Sequence, residues 1–147
     1  MNLPRAVNRS TVEQPPELPY SAPMPLAEDI VTNRYRISAY SPDSVTINET
    51  VYRQNLILSA DEITCPWDVP SLDQLSPENL ESVLARSPEV VLLGTGETQQ
   101  FPDPKIFALF GQRGIGLEVM DNGALCRTFN ILVAEDRAVI AAIFINS

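Results

Sequence analysis

Residues 114–144, GIGLEVMDNGALCRTFNILVAEDRAVIAAIF, decide the fold of this chain. Residues 115–119 form a short strand-like run. Asp121 is a helix-capping residue, and Leu125, Phe129, Leu132 and Val133 follow it at helical spacing to about Glu135. Residues 137–145 then end in the unbroken apolar run VIAAIFI. A strand, a helix and a strand in that order predict a right-handed parallel crossover. The last strand is expected to be central, because its apolar residues do not alternate with polar ones. The same run is far below the ~18 residues that a membrane span needs.

Working back along the chain, the same grammar repeats. Val90 to Leu93 is a short apolar run that Gly94 closes, as expected of a strand buried on both faces. Asp103 caps and Pro104 opens a helix whose Ile106, Phe107 and Phe110 form an apolar stripe, ended by Gly111 and Gly114. Ser76 and Pro77 open an earlier helix with Leu80, Val83 and Leu84 inward, and Ser87 and Pro88 stop it. Before it, residues 35–40 alternate, Ser41-Pro42-Asp43-Ser44 turns, residues 45–47 return, and a second turn at 48–50 leads into 51–53. Residues 55–59 and 62–65 continue what reads as one antiparallel meander, ended by Pro66 and Pro70. The expected class is α/β with a mixed sheet: an N-terminal antiparallel meander followed by α-β-α-β-α-β, in a single domain over residues 34–147. Residues 1–33 carry Pro4, Pro15, Pro16, Pro19, Pro23 and Pro25 without any period, and read as a proline-rich tail.

Composition narrows the chemistry. The 147 residues include 10 Lys plus Arg, 19 Asp plus Glu and no His, for a formal charge of −9. Without imidazole there is no Ser-His-Asp or Cys-His catalysis and no His-bearing zinc site. An acidic chain whose nearby basic pairs are Arg5/Arg9 and Arg34/Arg36 is not expected to bind nucleic acid. Cys65 and Cys126 lie far apart, without the close spacing of metal or redox sites, and read as two reduced thiols. No secretory signal or transmembrane segment is read at the N-terminus, so a cytoplasmic location is the expectation.

Two places concentrate candidate binding residues. Gly94-Thr95-Gly96 follows a buried strand, and Glu118 ends the next one, which imitates a dinucleotide fingerprint. Gln99 stands where the third glycine belongs, and Glu97 and Asp103 would repel a phosphate, so no cofactor is expected. A tight glycine turn is the plainer reading. The second place is the strand-to-helix junction, where Glu118, Asp121, Cys126, Arg127, Thr128 and Asn130 gather. Arg127 either pairs with Asp121 or Glu118 to stitch helix to sheet, or anchors a partner's anion. Cys126 lacks a base to activate it. No catalytic residue and no metal ligand is assigned.

The stretches LLGTGETQQFPDP (92–104) and GIGLEVMDNGALCRTFNILVAEDRAVIAAIF (114–144) resemble a small α/β family. It includes mitochondrial complex I assembly factor three, the adipogenesis-associated domain proteins and uncharacterised bacterial members. The resemblance runs from about Arg34 to Ile145. Asn122 and Gly123 stand where that family more often has a small hydroxyl or alanine, and Phe129 where it often has Tyr. The resemblance implies a three-layer α/β domain with a large mixed sheet and no established catalytic activity, and members that act as assembly helpers at a membrane complex. The expectation is a non-enzymatic accessory or assembly protein that binds a protein partner through the face from Asp121 to Asn130. The alternative is a small-molecule binder or enzyme using the same face. Homo-oligomerisation is left open.

Overall fold

The computed structural model describes residues 34–145, so the expected tail over 1–33 lies outside the described residues. The elements are β1 (Ile37–Ser41), β2 (Ser44–Ile47), β3 (Thr50–Tyr52), β4 (Leu56–Ser59), β5 (Ile63–Thr64), a 3-10 turn (Leu72–Gln74), α1 (Pro77–Leu84), β6 (Val90–Gly94), α2 (Pro104–Gln112), β7 (Gly116–Met120), α3 (Asn122–Ala134) and β8 (Val139–Ile143). The expected α-β-α-β-α-β run is present. Each helix begins where its capping chemistry dictates. Ser76 and Asn79 exchange side-chain to backbone hydrogen bonds ahead of α1, Asp103 accepts from the Lys105 N–H, and Asp121 accepts from the Ala124 N–H.

The meander divides into two sheets. Strands β1, β2 and β3 form a small antiparallel sheet, whereas β4 pairs antiparallel with β8 and carries β5 at its outer edge. The physical reason is burial. Leu56, Ile57 and Leu58 are all apolar and buried, which suits a strand covered on both faces, while β1 and β3 each keep an exposed side. The main sheet runs β5-β4-β8-β6-β7, and the last strand takes the central place that its apolar run requires.

Side-chain alternation then sorts the main sheet into two faces. Leu56, Leu58, Val90, Leu92, Val139, Ala141 and Ile143 face α3 and the small sheet, in one cluster with Leu125, Phe129, Val45 and Ile47. Ile57, Val91, Leu93, Ile140, Ala142 and Phe144 face the other way and join Leu80, Val83 and Leu84 of α1 and Ile106 and Phe110 of α2. The result is three layers, as the resemblance implies. Two details differ from the sequence reading. Phe107 is exposed rather than inward, because α2 turns Ile106, Leu109 and Phe110 onto the sheet. The last strand spans only Val139–Ile143: beyond it the Ile145 N–H donates to the Asn55 side chain rather than to a strand, and ahead of it Arg137 pairs with Glu89 at 2.7 Å.

Beyond that shared apolar cluster, the small sheet is tied to α3 by the Asn130 side chain. Asn130 Oδ1 accepts from the Ile37 N–H at 2.9 Å, and its Nδ2 donates to the Ile37 carbonyl at 2.7 Å. The amide thus imitates a neighbouring strand at the edge of β1. Asn130→Asp keeps the shape but cannot donate to the carbonyl. It is expected to lower stability in urea denaturation by about 1–3 kcal/mol, and a change too small to resolve would remove Asn130 from this role.

Candidate functional site

The connections fix where a cleft opens. From β6 the chain crosses by α2 to β7 on one face of the sheet, and from β7 it returns by α3, on the opposite face, to β8 on the far side of β6. Two right-handed crossovers in opposite directions must use opposite faces. The loops after β6 and β7 therefore part at the carboxyl ends of those strands, which is where α/β sheets hold ligands. A crevice of about 140 Å³ lies there, lined by Tyr40, Ser41, Pro42, Gly96, Glu97, Asp121, Asn122 and Gly123.

The floor of the crevice is tied together by Asn122. Its Oδ1 accepts from the Gly96 N–H at 3.2 Å, its Nδ2 donates to the Phe144 carbonyl at 2.9 Å, and its own N–H donates to the Gly96 carbonyl at 2.8 Å. The side chain is buried, and its approach explains Gly94. A Cβ there would collide with Asn122 Oδ1 and lie 2.9 Å from Leu125 Cδ1. Gly96 has a φ of 100°, a backbone conformation that suits glycine. Gly94 and Gly96 thus form the tight turn of the plainer reading, with the chain's own amide filling the close approach. Thr95, also buried, donates from Oγ1 to the Thr98 carbonyl at 2.7 Å and accepts from the Gln100 N–H at 3.0 Å.

The other candidate residues separate. Asp121 is spent capping α3. Glu118 is exposed on β7, the edge strand of the main sheet. Thr128 is half-buried on α3 and lines neither cavity. Cys126 is buried, and burial pushes its thiol up to about 11; the Arg127 guanidinium opposes that shift and the Asp121 carboxylate adds to it. It is a protonated thiol at neutral pH, not a nucleophile. Arg127 is exposed, and among the described residues it forms no ion pair, so the expected stitch to Asp121 or Glu118 is not made. The cap geometry explains this, because Asp121 is turned toward the Ala124 N–H. Arg127 instead borders a second, shallow groove of about 390 Å³ with Ile37, Ser38, Ala39, Tyr40, Cys126 and Asn130. Tyr40, Glu97 and Asn122 were not among the candidates. An amide directly after the capping aspartate was the available signal for Asn122; nothing local marks Tyr40.

A family model described as "Protein of unknown function (DUF498/DUF598)" matches residues 37–144. The chain belongs to the DUF498/DUF598 family. A Francisella tularensis relative named "13 kDa major membrane protein" is 30% identical over 79% of this chain and 95% of its own length. A Xenopus tropicalis relative named "NADH dehydrogenase [ubiquinone] 1 alpha subcomplex assembly factor 3" is 33% identical over 65% of this chain and 58% of its own. A solution structure of a Xanthomonas campestris protein shares 43% identity at a TM-score of 0.73, over 83% of this chain and 92% of that one. The family match over residues 37–144 spans the crevice, the groove and α3 alike. No helix among the described residues is long and apolar enough to cross a membrane.

The Cys126 thiol gives a pH dependence with a definite sign. Its pKa is higher folded than the ordinary value of 9.0, so its contribution to stability is intact below about pH 9 and is lost as pH rises toward about 11. Cys65 is shifted the same way by burial, which makes a variant necessary to separate the two. Urea denaturation at about pH 8 and about pH 10.5 is expected to show a drop that is smaller in Cys126→Ala, itself less stable throughout. An unchanged drop in that variant contradicts a buried, protonated Cys126.

Proposed function

We propose that this chain is a non-enzymatic accessory protein that helps assemble a respiratory complex by binding a protein partner through the face from Asp121 to Asn130. The observation that carries the reading is its 33% identity to a protein named as a complex I assembly factor, over 65% of this chain and 58% of that protein. The site geometry supports it. The groups that could do chemistry are engaged in the fold: Asn122 and Asn130 as clamps, Asp121 as a cap, Cys126 as a buried thiol. The one cation of this face, Arg127, stays at the surface, where a partner can reach it. We place the protein in the cytoplasm, acting at the surface of a membrane-bound complex. It takes no cofactor and no nucleic acid.

The test is removal and capture in its native cells. Deleting the gene is expected to lower the amount of mature respiratory complex on native gels and to leave smaller subcomplexes. The tagged full chain should co-purify with subunits of those subcomplexes. Normal complex levels together with no captured subunit would overturn the assembly reading.

A further inference from the structure

The groove between β1 and α3 has an open strand edge as one wall, and strand registers show which backbone groups it offers. Ser41 and Ser44 flank the two-residue turn at Pro42 and Asp43, so they form the hydrogen-bonded pair that closes the hairpin. Tyr40 and Val45, the next pair, are then the non-bonded pair. The β2–β3 register agrees: Ile47 and Thr50 close the next hairpin, which turns the backbone groups of Val45 toward β3 and not toward β1. The Tyr40 N–H and carbonyl therefore face away from β2. Across the bulge between Ile37 and Ala39, the next outward-facing groups are those of Ile37, the pair that Asn130 holds. Ser38 seals the bulge from within, its Oγ donating to the Asn48 carbonyl at 2.9 Å.

The edge of β1 thus has one rung filled by a side-chain amide and, among the described residues, the next rung open. The opposite wall supplies the chemistry of the occupant. Arg127 lines the groove, exposed and without an ion pair among the described residues of a chain whose net charge is −9. Ile131, one helical turn further along α3, is 57% exposed, and Tyr40 is 51% exposed. We infer that a short extended segment of the partner protein, carrying an acidic residue, adds to β1 at Tyr40 and places its carboxylate on Arg127. Main-chain bonds at an exposed edge supply the affinity of such additions, and the side chains beside it supply the choice of sequence. The bulge limits the added strand to a few residues. The inference rests on the partner-binding reading above and names what the partner presents.

Selection of displayed random decapeptides on the purified full chain tests it. Enriched peptides are expected to share an acidic residue and to bind Arg127→Glu at least tenfold more weakly, with binding recovered when that acidic residue is changed to Lys. Tyr40→Pro removes the outward N–H without costing a bond to β2, and should also weaken binding at least tenfold, whereas Tyr40→Ala should not. Melting curves establish that each variant is folded, and the Tyr40 amide should gain protection from hydrogen exchange when peptide binds. No enrichment, or peptides indifferent to both Arg127→Glu and Tyr40→Pro, overturns the proposal. So does a peptide that needs Arg127 but not the Tyr40 N–H, since it docks on the helix alone. Capture of respiratory subunits that survives both substitutions defeats this inference and leaves the assembly reading standing; failure of native capture together with normal complex levels defeats the assembly reading alone, because peptide binding is measured independently of it.

Discussion

Three neighbouring parallel strands end at one buried amide. Asn122 bonds to the Gly96 N–H after β6, follows β7 in the chain, and donates to the Phe144 carbonyl just beyond β8. Each of those backbone groups would otherwise be left without a partner in a buried place, at a cost of order 1–3 kcal/mol apiece. The amide needs room, and Gly94 supplies it by having no Cβ to meet Oδ1. Because α3 begins at this residue, the same contact sets the height of the helix over the sheet. That height in turn sets where Leu125, Phe129 and Asn130 fall.

This arrangement changes what the cleft can do. Opposed crossovers open a cleft at the carboxyl ends of β6 and β7, and in many α/β domains a ligand's phosphates meet the first helix turn there. Here the first turn of α3 is capped by Asp121, its second residue is packed against the Tyr40 hydroxyl, and the carboxylate of Glu97 stands at the rim. What remains is about 140 Å³. The accessible features of this side of the molecule lie one element away, where an arginine and an open strand edge face each other across a wider groove.

Much of the architecture was legible because it depends on local rules. Ser76, Asp103 and Asp121 each cap a helix, and the unbroken apolar run from Val139 places that strand at the centre. The division of the meander was not legible. Residues 51–53 and 55–59 are both short, strand-like and separated by one residue, and it is the burial of Leu56, Ile57 and Leu58 on both faces that sends β4 to a different sheet from β3. At the candidate site, Gly94, Gly96 and Asp121 could be found by type and position. The roles of Asn122 and Asn130 could not, since each is defined by partners remote in sequence: Phe144 and Gly96 for one, Ile37 for the other. Arg127 was visible as a charge, but its lack of an ion-pair partner among the described residues is a fact of tertiary geometry.

The central claim is that Asn122 closes the cleft for structural reasons, and the stability of Asn122→Ala measures it most directly. The account predicts a loss of about 2 kcal/mol or more in urea denaturation, with faster hydrogen exchange at the Gly96 amide. A variant as stable as the parent, with the Gly96 amide still protected, would contradict it.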